Sequence, residues 1–316
     1  MARGTDPGSS RTRCPEAKID ISGVFIPTAT PFDSTTGDVD PGALKENVGR
    51  WLQTGVAGFV VGGSTGEAVL LDEDERVRIW EAVREAAPAD RCLIAGTGGE
   101  SLRATLRMSR KAADLGYDAL LVQPPAFYKG AMTDDVVRDH YRTVADAVEV
   151  PVIIYQVPTR FSTLDFTTGL IAELSSHPNI IGIKDSRGKL DLVGELVTQT
   201  QEGFQVLVGS GSLLYGSLEI GAVGGILGVA NIAAGDCADI HALFAQGDPA
   251  GAGAMQERVA PLHNAIIGGM GVPGVKAALD LLGYRGGSPR PPLRPLPQAK
   301  REEVAALLAG AGLAAA

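Results

Sequence analysis

The stretch "IIGIKD", residues 180–185, is apolar almost from end to end and then closes on a lysine and an aspartate. A strand with one wet face alternates apolar and polar side chains. A near-continuous run marks a strand covered on both faces, and such strands are usually parallel. Seven further runs share this character: "GVFIP" at 23–27, "GFVVGG" at 58–63, "CLIAGTG" at 92–98, "ALLVQP" at 119–124, "PVIIYQV" at 151–157, "FQVLVGS" at 204–210 and "GGILGVAN" at 224–231. Amphipathic segments separate them. "DEDERVRIWEAVREAA" opens on acidic residues and repeats apolar positions at Val77, Ile79, Trp80 and Val83. "SLRATLRMSRKAADLG" opens on Ser101 as a cap and ends at Gly116, and "TDDVVRDHYRTVADAV" behaves likewise. Eight strands alternating with eight helices is the content of an α/β chain folded as a (β/α)8 TIM barrel. A doubly wound open sheet competes with it, but usually has fewer strands.

The barrel is expected over residues 21–248. Before it, residues 1–20 are rich in Gly, Ser, Pro and Arg, lack the apolar core of a signal peptide, and read as a loose tail. After it, residues 249–316 contain "AGAMQERVAPLHNAI", "VPGVKAALDLLG" and "KREEVAALLAGAG", the last two separated by "GGSPRPPLRPLP". These read as additional C-terminal helices packed on the barrel.

Charge and composition narrow the partners. The net charge of −9 argues against general binding to nucleic acid or anionic membrane, both of which need a positive field. No run of about 18 apolar residues is present, so no membrane span is expected. The three cysteines, Cys14, Cys92 and Cys237, are odd in number and far apart. They suit a reducing compartment, and a cytoplasmic protein is the expectation.

Active sites of such barrels lie at the C-terminal ends of the strands. There the sixth strand ends in Lys184 and the fifth carries Tyr155. Neighbouring strands run about 4.8 Å apart, so the two side chains can meet if both point inward. Strict alternation places Lys184 on one face with Gly182 and Ile180, and Tyr155 on one face with Ile153. Gly182 is expected to leave space beneath the lysine. A lysine ammonium ordinarily titrates near about 10.4, but burial disfavours its charged form, and a neutral amine can attack a ketone to form a Schiff base. A tyrosine beside it could move the protons. The competing reading is a strand-end lysine that snorkels outward or pairs with Asp185. For Tyr155 the plain alternative is a buried ring with one satisfied hydroxyl. On the residues alone both readings stand.

"GGSTGE", residues 62–67, follows the second strand. Its glycines let backbone N–H groups converge on an anion, and Ser64 and Thr65 add hydroxyls. An ordinary glycine-rich turn is the alternative, and the ending of a P-loop is missing. "GSGSLLYG" at 209–216 could cradle a phosphate or carboxylate, though its spacing does not fit the dinucleotide fingerprint. His140, His177, His241 and His263 have no paired spacing, so no metal is expected and the four read as surface or structural. No convincing nucleophilic serine elbow occurs.

With GGSTGE, YQVP and GIKDS in order on strands two, five and six, the chain resembles the dihydrodipicolinate synthase / N-acetylneuraminate lyase family of class I aldolases. The likeness runs from about residue 22 to 300. "GFVVGGSTGE", "FYKGAM", "HPNIIGIKDS", "FQVLVGS", "GAVGGILGVAN" and "GYRGGSPRPPL" look most like its 4-hydroxy-2-oxoglutarate aldolase branch. The resemblance implies a (β/α)8 barrel with C-terminal helices, a homotetramer built as a dimer of dimers, and chemistry without a cofactor. It implies Lys184 as the Schiff-base lysine for pyruvate or another 2-oxo acid, and Tyr155 as the proton-transfer phenol. Gly63, Ser64 and Thr65 would hold the keto-acid carboxylate, with Ser64 also a relay hydroxyl.

Two positions depart from the pattern. The family's relay usually adds a tyrosine offered across the dimer interface, where this chain has Phe127, with Tyr128 one residue later. Arg160, in "YQVPTRF", matches an arginine of the synthase branch that helps bind a carboxylate-bearing second substrate; a surface arginine without a role is the alternative. The implied function is an aldolase or lyase that cleaves or forms 4-hydroxy-2-oxo acids from pyruvate and an aldehyde. The alternatives are 4-hydroxy-tetrahydrodipicolinate synthase, which joins pyruvate to aspartate semialdehyde, and a 2-oxo-acid-binding protein weakened by Phe127.

Overall fold

The computed structural model describes residues 19–162 and 164–313; most of the predicted loose tail, residues 1–18, lies outside them. Eight strands form the centre: β1 (Gly23–Pro27), β2 (Gly58–Val61), β3 (Cys92–Gly96), β4 (Ala119–Val122), β5 (Val152–Gln156), β6 (Ile180–Asp185), β7 (Gln205–Val208) and β8 (Gly224–Ile226). All pair in parallel with their chain neighbours, and β8 pairs with β1 to close the barrel. Each of the eight apolar runs becomes one strand.

Alternation along each strand builds two cores. Phe25, Val60, Ile94, Leu121, Ile153 and Leu207 fill the barrel interior. Their neighbours, including Ile26, Phe59, Leu120 and Ile154, face outward and pack beneath the helices. Two-sided burial is why the runs are apolar throughout, and it makes the barrel a filled core with chemistry only at its rim.

β6 breaks the simple alternation. Val152 pairs with Ile180, but Ile153 pairs with Gly182, so Ile181 is an extra residue on β6. Ile181 belongs to the interior cluster and Ile180 to the outer one. Ile180 therefore does not share the face of Lys184, as strict alternation predicts; the bulge resets the phase so that Lys184 lies opposite inward-facing Tyr155. Gly182 does not open a void either. A Cβ there would sit 2.4 Å from the Gln205 carbonyl oxygen, so glycine is needed for the close approach of β7.

The helices alternate with the strands: α1 (Pro41–Trp51), α2 (Glu73–Ala86), α3 (Leu102–Asp114), α4 (Asp134–Asp146), α5 (Thr168–Leu174), α6 (Leu190–Gln199), α7 (Leu214–Glu219) and α8 (Ala234–Ala245). Their starts follow local chemistry. Asp72 and Glu75 form a reciprocal capping box at α2, and Ser101 accepts the Ala104 N–H at 3.1 Å at α3. Beyond α8 come α9 (Pro249–Leu262), a π-helix (His263–Met270), α10 (Gly271–Leu281) and α11 (Gln298–Gly310). Pro261, near the end of α9, has no N–H to continue the α register, and the wider π turn begins two residues later.

Candidate active site

β5 and β6 place Tyr155 and Lys184 directly opposite each other. Lys184 is 6% exposed and Tyr155 3%, and the lysine Nζ stands 4.3 Å from the centre of the phenol ring. Among the described residues no carboxylate lies within ion-pair distance of that amine. Asp185, the counter-ion offered by the competing sequence reading, is taken by Arg187. Its Oδ2 accepts from Nη2 at 2.5 Å and Nε at 2.7 Å, while Oδ1 accepts the Arg187 N–H at 2.8 Å. The reason is parity: Asp185 faces away from its neighbour. Lys184 is thus a buried amine without a salt bridge, and it lines a cavity of about 280 Å³ at the barrel mouth.

The GGSTGE turn forms another wall of this cavity through Ser64 and Thr65. The Ser64 hydroxyl is 3.4 Å from the Tyr155 hydroxyl, a long hydrogen bond that links turn and strand. The Glu67 N–H donates to the Ser64 carbonyl and the Ala68 N–H to that of Gly63, which closes the turn and uses Gly63 as an acceptor. The N–H groups of Ser64 and Thr65 have no acceptor among the described residues. That arrangement suits an anion.

Glu67 ends the turn at φ 59°, the one positive φ outside glycine among the described residues. Such a backbone persists only where its surroundings fix it. Here the carboxylate lies 2.6 Å from Lys276 Nζ on α10 and accepts the Arg290 N–H at 2.7 Å. Lys276 also donates to the Ser288 carbonyl at 3.0 Å. Burial pulls the Lys276 ammonium below the usual lysine range, and Glu67 opposes that pull. Among the described residues there are thus two buried lysines of opposite kinds: Lys276 has a carboxylate partner there, and Lys184 has none.

The remaining wall combines β7 with the C-terminal helices. Arg160 lines the cavity, but its Nη1 and Nη2 donate to the carbonyls of Gly268 and Ile267 at 2.6 and 3.1 Å. His263 and Ser210 line it too, with His263 Nε2 3.2 Å from the Ser210 hydroxyl. Burial, reinforced by the positive charge of Arg160, holds the His263 imidazole down at about 4. Sequence spacing leaves His263 a surface or structural histidine, and the structure puts it in the cavity wall. It is separated from Ser210 by 53 residues, so no local spacing could reveal their contact.

Phe127 and Tyr128 do not join this cavity within one chain. They are 78% and 74% exposed and stack edge-to-face at 5.1 Å, while Glu100 accepts the N–H groups of Ala126 and Phe127. Among the described residues no group of three metal-ligating side chains converges, and no helix is long and apolar enough to cross a membrane.

A buried amine, an adjacent phenol, a hydroxyl link and an anion-binding turn are the parts needed to hold a 2-oxo acid and form an imine with it. Comparisons with known proteins identify the family. A sequence model of the dihydrodipicolinate synthetase family matches residues 20–311. A probable mitochondrial 4-hydroxy-2-oxoglutarate aldolase of Emericella nidulans is 38% identical, over 91% of this chain and 93% of its own length. A 4-hydroxy-tetrahydrodipicolinate synthase of Acidiphilium cryptum is 34% identical, over 93% and 99%. Among solved structures, the chloride-inhibited dihydrodipicolinate synthase of Acinetobacter baumannii complexed with pyruvate has a TM-score of 0.88 at 31% identity, covering 93% of this chain and 100% of that one.

Proposed function

The chain belongs to the dihydrodipicolinate synthetase family of class I aldolases and lyases, and from that premise we propose that it cleaves or forms a 4-hydroxy-2-oxo acid with pyruvate as the donor half. The aldehyde half in this reading is glyoxylate, and the joined product 4-hydroxy-2-oxoglutarate. The observation that carries the mechanism is the buried Lys184 amine facing Tyr155, its neighbouring carboxylate already committed to Arg187.

In the direction of synthesis, the pyruvate carboxylate sits on the N–H groups and hydroxyls of Ser64 and Thr65. The Lys184 amine attacks the keto carbon through its nitrogen lone pair. Tyr155, linked to Ser64, moves a proton from the attacking nitrogen to the alkoxide and then gives its own to the departing hydroxyl, so that loss of water leaves the iminium beside a Tyr155 phenolate. The iminium draws electrons from the methyl carbon, whose proton passes to the Tyr155 phenolate to give the enamine. The enamine carbon then bonds to the aldehyde carbon, and the aldehyde oxygen takes a proton from Tyr155. Water hydrolyses the new iminium, which frees Lys184 and returns the released proton to Tyr155; cleavage runs the same steps backwards.

Borohydride added with pyruvate should fix a stable adduct on Lys184, located by peptide mass, and Lys184→Ala should abolish it. Tyr155→Phe should lower kcat by about 10²–10⁴-fold, the usual share of one proton-transfer group. An intact protein that traps no 2-oxo acid overturns the reading.

The second reading, 4-hydroxy-tetrahydrodipicolinate synthase, is supported by relatives of that name, while Arg160 at the cavity rim suits the carboxylate of either aldehyde and does not choose between them. Parallel assays with aspartate semialdehyde and 4-hydroxy-2-oxoglutarate separate the two. A weakened 2-oxo-acid binder would trap pyruvate without turnover, and Phe127→Tyr would then restore activity. We also propose a homotetramer in which the exposed Phe127–Tyr128 pair meets a second copy, and a cytoplasmic location in keeping with three cysteines that are odd in number and far apart in the sequence.

A further inference from the structure

The wall built by Ser210 and His263 has no part in the covalent step, yet it is assembled with care. The Gly211 N–H donates to His263 Nδ1 at 3.1 Å, so that nitrogen carries no hydrogen, and the neutral imidazole holds its hydrogen on Nε2. Nε2–H then donates to the Ser210 oxygen at 3.2 Å. With its oxygen satisfied, Ser210 keeps its own hydrogen to give. Within the protein it can go to the Ser212 hydroxyl, 3.0 Å away. Ser210, but not Ser212, lines the cavity, so a ligand oxygen can take that hydrogen instead.

The C-terminal helices fix this arrangement from two sides. A Cβ on residue 211 would lie 2.4 Å from Val229 Cγ1 and 3.2 Å from His263 Nδ1, so only glycine lets the imidazole seat against the turn. Gln256 on α9 donates to the Gly211 carbonyl at 2.8 Å and accepts the Tyr215 N–H at 2.9 Å. The turn after β7 is thereby clamped to a scaffold outside the barrel, with one hydroxyl left pointing into the cavity. A donor held this way recognises an oxygen acceptor without requiring a particular charge.

Resting on the aldolase reading of this cavity, we propose that Ser210, oriented by His263, donates a hydrogen bond to an oxygen on the carbon next to the aldehyde carbon of the second substrate. A carboxylate and a hydroxyl both supply that oxygen. Ser210 is the specificity residue, and His263 is a positioning residue acting through it.

The full-length enzyme is assayed in the condensation direction, with pyruvate and three aldehydes: glyoxylate, which bears a carboxylate, glycolaldehyde, which bears a hydroxyl, and acetaldehyde, which bears neither. In Ser210→Ala, the kcat/KM ratio of an oxygenated aldehyde over acetaldehyde should fall about tenfold, mainly through KM, the effect of about 1.4 kcal/mol from one hydrogen bond. His263→Phe should fall alike, and the double variant no further than either single one. The borohydride-trapped pyruvate adduct in each variant reports that the donor half is intact. A ratio that falls for glyoxylate alone identifies a carboxylate, and one that falls for glycolaldehyde alone identifies a hydroxyl; either supports the proposal. An unchanged ratio for both, or no turnover of either by an enzyme that does trap pyruvate, overturns it while the Lys184 chemistry stands. A wild-type enzyme that traps no pyruvate removes both.

Discussion

At the residue scale, two buried lysines show why burial alone does not identify a nucleophile. Lys276 is held by Glu67 and by the Ser288 carbonyl, and it fixes the strained end of the GGSTGE turn. Lys276→Met would strand the Glu67 carboxylate in a dry interior, and breaking a buried pair in this way costs about 3–5 kcal/mol. Urea unfolding should register that loss, and Lys276→Met/Glu67→Gln should recover part of it. Lys184→Met removes an amine with no salt bridge, so its urea midpoint should stay at or above that of the wild type even as adduct formation vanishes. The contrast was only half legible in the sequence. Lys184 stands out because it ends an apolar strand, whereas Lys276 sits in "VPGVKAALDLL", which reads as an ordinary amphipathic helix. Its partner lies more than two hundred residues away.

At the element scale, local chemistry predicted the starts of α2 and α3, and apolar runs predicted every strand. What stayed hidden were departures from ideal periods: the extra residue in β6 and the π turn after α9. Neither has a compositional signature, since each depends on how a neighbouring strand or helix is already placed. The histidines on these elements have a measurable consequence. Burial lowers His140 on α4 to about 4, and His263 on the π-helix likewise, against an ordinary value of 6.5. The unfolded chain takes up protons on both residues as pH falls below about 6.5, while the folded chain resists until about 4. Stability is therefore full above pH 6.5 and declines towards pH 4, with each residue contributing at most about 3 kcal/mol to the loss. Denaturant titrations at stepped pH should reveal this slope. His140→Leu, which also removes a buried Nε2 lacking a partner, should make the slope shallower without lowering stability at pH 7.

At the scale of the whole molecule, the closed barrel was the most legible feature, because strands covered on both faces leave no polar alternation to confuse the reading. The exposed Phe127 and Tyr128 were legible only as residue types. An aromatic pair that leaves most of its surface in water is unusual for one chain and common where copies meet. Phe127→Asp should therefore shift the sedimentation of the proposed tetramer towards smaller species, and unaltered sedimentation would remove that surface from the assembly. The clamp of Gln256 and His263 on the turn after β7 carries a broader consequence. In the proposed reaction, the strands that carry Lys184 and Tyr155 and the helices that would frame the incoming aldehyde come from separate stretches of chain. Inheritance can therefore edit the second without touching the first, so that one imine-forming engine could be refitted, substitution by substitution, to accept different partners.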